Sequence, residues 1–280
     1  MKRIAIVADS TCDMPQAMVD RYNIRIIPVR ILYKDAEYRD RFEITPKEVY
    51  DRLEEEVPTS SMPTPEDVIS MLDELKDEGY EQVLILSLSD HLSGTHNMLR
   101  LLADDYEGME VKVYNSKIIT MGLGFMAMEA AMVAKATGSL KQVVSRMKEI
   151  RSTMTAHFTL KTMKYLKLGG RISKVVAAFG SLLNIKPVIR ISTEGLYKSL
   201  AKARGRARSI ETLIKEVKAQ YQNKSINLAI VHGDAYQDAV KIYERIAKFA
   251  NVKLKIIEQV SPAIGVHTGV GLIGVIAYEA

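Results

Sequence analysis

The sequence predicts an α/β protein of two domains. The N-terminal domain is a three-layer α/β/α unit around a mainly parallel sheet, and the C-terminal one an α/β unit around a mixed sheet. Three observations carry this. Apolar runs of strand length alternate with helical patterns through the first half, which calls for parallel strands with helical crossovers. Beyond about residue 150 a hairpin pattern appears among the αβ units, which calls for a mixed sheet. The 280 residues, 47% hydrophobic and 26% charged, make an ordinary globular chain long enough for two such domains. The boundary is expected near residue 155, giving domains 1–155 and 156–280.

The elements follow in order. Ile4 to Ala8 is a continuous apolar run, the pattern of a buried parallel strand. Ile24 to Leu32 reads as a second strand interrupted at Pro28, hence an edge or a bend. Val68, Ile69, Leu72 and Leu75 recur at helical spacing between Pro65 and Gly79. Val83 to Leu86 is a third strand, followed by a helix marked by Met98, Leu99, Leu101, Leu102 and Tyr106. Val111 to Tyr114 is a fourth strand, leading to an apolar helix from Met121. Later come a helical piece at Lys161–Leu168 and a hairpin of Val188–Ser192 with Leu196–Ala201 around Thr193-Glu194-Gly195. Ile226–Val231, a helix from Ala235 to Phe249, Val252–Val260 and a closing strand Leu272–Tyr278 complete the pattern.

Composition excludes several functions. Lys and Arg total 39 against 34 Asp and Glu, a net +5 that implies neither a nucleic-acid nor a membrane partner. One cysteine, Cys12, cannot form an internal disulfide or a cysteine-built zinc site. The apolar run after Met1-Lys2-Arg3 is too short for a secretory signal. Met121–Ala134 falls short of a bilayer span and contains Glu129. A soluble, cytoplasmic protein is expected.

Open parallel sheets bind ligands beyond the carboxyl ends of their strands. Those ends carry Asp9-Ser10-Thr11, then Ser87 to Thr95, then Asn115-Ser116 with Thr120; Thr59-Ser60-Ser61 adds a fourth hydroxyl-rich segment. Ser and Thr at such places also serve as ordinary helix N-caps. Ser93-Gly94-Thr95 goes further, because its glycine admits close backbone approach and the following helix start favours a carboxylate or phosphate. Neither a Walker lysine nor a GxGxxG is present, which argues against nucleotide binding in those forms.

A second polar feature is Ile264 to Gly271, where Gly265, Gly269 and Gly271 bracket His267. A lone histidine is ordinarily structural; the glycines favour a functional one. The remaining histidines, at 91, 96, 157 and 232, show no metal-ligand spacing, and no metal or cofactor is expected. Met121, Met126, Met128 and Met132 crowd one helix, which reads as core or, beside an anion site, as the lining of an apolar cavity. The alternation Lys202, Arg204, Arg206, Arg208 places charge on one face of a strand. With only Tyr197 nearby it is a solvated face, and nucleic-acid binding is not expected.

Six collinear segments carry a family resemblance across essentially the whole chain. They are Ile6–Thr11, Ser60-Ser61-Met62-Pro63, Ser93-Gly94-Thr95, Tyr165–Ser173, Leu183–Pro187 and Gly265–Gly269, and together they resemble the DegV family. The resemblance implies a long-chain fatty acid bound between two domains. It further implies a role like that of the fatty-acid-binding subunit of bacterial fatty acid kinase, presenting the carboxylate to a separate catalytic subunit for acyl-phosphate formation. On this reading the chain is not itself an enzyme. It binds no nucleic acid and touches a membrane surface transiently.

Carried over by position, the carboxylate contacts are Ser60, Ser93 and His267, supported by Ser61, Gly94, Thr95 and Thr268. Arg171, following Gly169-Gly170, is expected in an exposed turn or just after a helix end, where it would dock an acidic surface of the kinase subunit. Two departures stand out: Ser60 replaces the family's usual Thr, and Asn115-Ser116 replaces its usual Asp-Ser. The rival readings are a phosphotransferase-like enzyme using His267 covalently, on the likeness of this family's fold to dihydroxyacetone kinase and mannose-type phosphotransferase subunits, and a regulatory protein docking through its basic 198–208 segment.

Overall fold

The computed structural model describes residues 3–173, 175 and 186–280. Strands β1 (Ile4–Asp9) and β2 (Arg25–Ile27) belong to a four-stranded sheet. Pro28 then turns the chain out of that sheet, and β3 (Arg30–Leu32) pairs antiparallel with β4 (Glu37–Arg39) and β5 (Thr59–Ser61) in a separate small sheet. The expected second strand is therefore two strands in two sheets, split where proline cannot donate to a ladder. With β6 (Gln82–Ser87) and β7 (Glu110–Asn115) the first sheet has the order β2-β1-β6-β7, parallel throughout.

Its helices are α1 (Gln16–Tyr22), α3 (Pro65–Asp77), α4 (Thr95–Asp105) and α5 (Met121–Thr137), while α2 (Pro46–Arg52) belongs to the excursion through the small sheet. Ile6, Ala8, Leu84 and Leu86 pack toward α5, while Ala5, Val7, Val83 and Ile85 pack toward α3 and α4. Three layers result, which explains strands that are apolar on both faces. Helix α3 starts as its sequence dictates: Thr64 accepts the Asp67 N–H at 3.2 Å, Pro65 occupies the first turn, and Glu66 and Asp67 meet the positive dipole end.

The second sheet holds β8 (Thr155–Thr159), β9 (Lys186–Ile191), β10 (Tyr197–Ala203), β11 (Ser225–His232), β12 (Asn251–Gln259) and β13 (Ile273–Glu279). Its order is β10-β9-β8-β13-β11-β12, antiparallel except for the parallel β11–β12 pair. Helix α6 (Leu140–Thr153) joins α5 on its inner face. After a short α7 (Lys164–Leu168), helices α8 (Arg206–Tyr221) and α9 (Tyr236–Ile246) cover the outer face, and α10 (Pro262–Thr268) packs on α2 and the small sheet. Val29, Ile31 and Val49 share a hydrophobic cluster with Tyr165, Ala263 and Val266, so residues of the first half are built onto elements of the second.

One expectation needs correction. Lys202 lies in β10, but Arg206 and Arg208 lie in α8 with Gly205 between, at φ 88°, so the four basic residues share no strand face. Of the two readings of the α5 methionines the core one holds for three: Met121, Met126 and Met128 are buried and Met132 is exposed, and none of the four lines the cavity described below. Helix α5 is buried on nearly every side because it lies against both sheets. Its one acid, Glu129, is neutralised by Arg146 at 2.9 Å and accepts the Tyr278 hydroxyl at 2.7 Å. The motif residues Leu183, Asn184 and Ile185 fall outside the described residues. Among those described, no helix is long and apolar enough to cross a membrane.

Phe125 on α5 and Tyr278 on β13 meet edge to face at 5.1 Å, both fully buried. Phe125→Ala should destabilise the protein by about 3–5 kcal/mol. Urea unfolding followed by circular dichroism checks this, and a change below about 1 kcal/mol contradicts the assigned packing.

Candidate functional site

Helix α10 opens with Pro262 at its first position, so one orphan N–H is absent from the start. Side chains from elsewhere accept two others: Asp13 Oδ1 takes the Ser261 N–H at 2.9 Å, and Asp40 Oδ1 takes the Ala263 N–H at 3.0 Å. Asp40 Oδ2 also accepts the Ser10 hydroxyl at 2.5 Å, and Ser10 Oγ accepts the Val29 N–H at 3.1 Å. Asp9 accepts the Leu88 N–H at 2.6 Å and the Thr11 N–H at 3.1 Å, tying the end of β1 to the loop after β6.

Anchored in this way, α10 carries His267 in its last turn. The ring Nε2 lies 2.7 Å from Ser60 Oγ on β5, a contact spanning 207 residues of sequence. On the ring's other side, a Cβ at Gly169 would stand 2.3 Å from Nδ1, so only glycine allows this approach. Among the described residues, Nδ1 has no hydrogen-bond partner. A buried orphan N–H is rarer than a buried orphan lone pair, which places the proton on Nε2, donated to Ser60. Ser60 keeps its own hydroxyl proton to offer into the cavity. Burial, assisted by the Arg171 charge, pushes the His267 pKa down to about 3, so the ring is neutral at pH 7.

Ser93 and Thr95 bring their hydroxyls together at 2.9 Å, and Ser93 Oγ accepts the Thr95 N–H at 3.2 Å. The missing side chain of Gly94 makes room for Met62, whose Sδ would lie 3.1 Å from a Cβ there. All of these border one cavity of about 610 Å³. Ser60, Ser61, Ser93, Gly94, Thr95, Arg171, His267 and Thr268 all line it. Its remaining walls are mostly apolar, including Leu92, Ile119, Phe158, Leu166, Ile191 and Ile276. Four segments distant in sequence thus meet at one place.

Their roles differ in detail. The Thr268 hydroxyl donates to the Ile264 carbonyl at 2.8 Å and so belongs to its own helix. Asn115 and Ser116 make the turn after β7: Asn115 Oδ1 accepts the Lys117 N–H at 3.0 Å and Ser116 Oγ the Ile118 N–H at 3.3 Å. Arg171 lies just after the end of α7, one of its two expected places, but is half-buried rather than exposed, and it donates to the Gly169 carbonyl at 2.9 Å. Sequence reasoning missed Tyr197, which lines the cavity edge to face with Phe158 at 5.5 Å. It also missed the strain at Thr120, held at φ 56°, ψ −148°, a region nearly reserved for glycine. Neither has a signature in local sequence. Among the described residues, no cluster of His, Cys, Asp and Glu could hold a metal ion.

Fold and site define a two-domain α/β protein with a mostly apolar cavity that hydroxyl groups and an imidazole also line. The chain belongs to the DegV family: residues 3–280 match its sequence model, described as that of an uncharacterised protein family. A DegV domain-containing protein of Clostridium acetobutylicum is 37% identical over 279 residues, covering 100% of both chains. A fatty-acid-binding DegV family protein from Thermus thermophilus superposes with a TM-score of 0.89 at 32% identity, covering 99% of this chain and 100% of that one. DegV of Bacillus subtilis, described as a fatty acid binding protein, superposes with a TM-score of 0.90 at 27% identity and full coverage of both.

Burial also predicts how stability follows pH. It raises Asp9 and Asp40 to about 6 and Asp13 to about 8, against 3.8 for an exposed Asp. Between the unfolded and folded values the folded chain holds the extra protons, so stability falls as pH rises. His267 and His157, lowered to about 3 and about 4, act oppositely and only below about pH 6.5. From pH 6.5 to 8 the Asp13 contribution therefore stands out. The unfolding free energy of the wild type, from urea denaturation, should fall across this window by on the order of 1 kcal/mol per pH unit. Asp13→Asn, which keeps an acceptor for the Ser261 N–H, should flatten that slope. An unchanged slope in the variant contradicts the assignment.

Proposed function

We propose that the cavity holds a long-chain fatty acid and that the protein presents its carboxylate to a separate kinase subunit for acyl-phosphate formation. The observation that carries this is a cavity of about 610 Å³ with mostly apolar walls, also lined by Ser60, Ser93 and His267. Fatty acid binding by the related proteins from Thermus thermophilus and Bacillus subtilis supports the same ligand.

The energetics suit a carrier. Burying about 14 methylenes at about 0.8 kcal/mol each gives on the order of 11 kcal/mol gross, less the costs of association and ordering. The tail supplies affinity, the Ser60 and Ser93 hydroxyls hold the carboxylate, and His267 fixes it through Ser60, whose hydroxyl its N–H frees to point at the carboxylate. Arg171 lines the same cavity and is only half-buried, and we assign it to an acidic surface of the kinase subunit. Ser61, Gly94, Thr95 and Thr268 shape the wall around the head group. The acid is exchanged with membranes through transient surface contact, in the cytoplasm. Covalent chemistry at His267 is less well supported, since the hydrogen-bond partner of its ring is Ser60 and not a carboxylate that would orient and charge it.

Protein purified from a bacterial host should yield a stoichiometric fatty acid on organic extraction, identified by mass spectrometry. An empty extract together with no binding of added palmitate or oleate overturns the reading. Ser93→Ala and His267→Ala should each weaken binding by about 1–3 kcal/mol without abolishing it. Acyl-phosphate formation with the partner kinase should suffer more, because phosphoryl transfer depends on positioning. Two variants that bind and turn over like wild type, with unchanged circular dichroism, remove these residues from the site. Arg171→Ala should retain binding and lose turnover, and wild-type turnover should weaken with salt. Equal loss of binding would instead assign Arg171 to the cavity wall.

A further inference from the structure

The second sheet crosses the cavity on β13. Alternate positions from Leu272 onward share one face: Leu272, Gly274, Ile276 and Tyr278. The first three line the cavity. Tyr278 lies beyond it, packed on Phe125. The cavity therefore passes over Gly274 and stops short of Tyr278.

Gly274 is not among the glycines with positive φ, so the backbone there would accept any residue. Space decides instead. A Cβ at 274 would stand 2.7 Å from Val231 Cγ2, 3.7 Å from Phe158 Cβ and 3.8 Å from Ile276 Cδ1. Val231 and Phe158 are its cross-strand neighbours, and all three residues line the cavity. A side chain here must either displace Val231 into the cavity or occupy the cavity itself. Glycine inside a strand is unfavourable for folding and marks a close approach by something else.

We propose that Gly274 sets the length of acyl chain the cavity accepts. By leaving β13 bare, it lets the methyl end continue to the wall made by Ala156 and Ile276, which pair across β8 and β13. This inference rests on the fatty-acid reading of the cavity.

The test is titration of delipidated protein with dodecanoate and stearate, using wild type, G274A, G274V and V231A/G274A. Each excluded methylene costs about fourfold in affinity. G274V should therefore weaken stearate binding at least about tenfold more than dodecanoate binding, with G274A between it and wild type. V231A/G274A removes the methyl that the new Cβ would meet and should recover stearate binding lost in G274A. Wild-type stearate affinity in G274V overturns the proposal, as does equal loss of both acids in a G274V variant with wild-type circular dichroism. Failure of wild type to bind either acid is a different result: it overturns the fatty-acid reading and this inference with it.

Discussion

The arrangement depends on carboxylates buried where the first strand, the small sheet and α10 meet. Asp13 and Asp40 accept backbone N–H groups at the start of α10, a task usually left to an N-cap side chain. Ser261 makes no such cap, so those groups would otherwise be orphaned in the interior. Asp40 also holds Ser10, which receives the Val29 N–H at the point where the chain leaves the parallel sheet. One carboxyl group thus fixes three segments at once. The pairing of Ser60 with His267 is downstream of this: β5 reaches its place through β3, and His267 through α10. Burial favours the protonated acids, so the clasp is held at a cost that rises toward alkaline pH.

A second clasp works from the other direction. Arg151 at the end of α6 donates to the carbonyls of Lys117 at 3.0 Å and of Ser192 in the β9–β10 turn. Ser89 Oγ donates to the Gly195 carbonyl at 3.0 Å, so close that a Cβ at Gly195 would stand 2.2 Å from it. This ties the hairpin of the second sheet to the loops of the first. Protein interiors pack densely, and an open volume invites collapse of its walls. Polar clasps resist collapse because moving the walls together would break hydrogen bonds that have no replacement partners. The cavity stays open for that reason, and not because its lining is rigid.

The sequence disclosed the layers more readily than the site. Strands β1 and β6 were legible because burial on both faces leaves a continuous apolar run, and α3 because its first proline, its periodicity and its closing glycine agree. Pro28 marked a break without revealing that two sheets lay on either side. The basic alternation at 202–208 misled, since Gly205 ends one period and starts another, which side-chain type alone does not show. For the site, hydroxyls after the strands and the glycines around His267 were visible locally. That Ser60 faces His267 across 207 residues was not, because no spacing rule reports a contact made by tertiary folding. Collinear family motifs put both residues at one carboxylate site without pairing them. Asp13 and Asp40 stood unremarked for the same reason: each looks like an ordinary loop acid until its partner is placed.

The chemistry of the polar residues follows from their burial. A protonated imidazole at 267 is disfavoured by desolvation and by the nearby guanidinium, so the ring stays neutral and donates through a single N–H. Hydroxyls at Ser60 and Ser93 are neutral donors as well. Neutral donors can remain in an apolar enclosure with or without an anion, whereas a buried fixed cation would need a permanent partner. Arg171 can be charged because it is only half-buried, with one arm on a backbone carbonyl. For the proposed ligand, apolar walls set affinity, neutral donors set where the carboxylate stops, and the full positive charge sits where a second protein could also reach it. Exchanging these roles would fail physically: a cation in place of His267 would cost more than it returned whenever the cavity was empty.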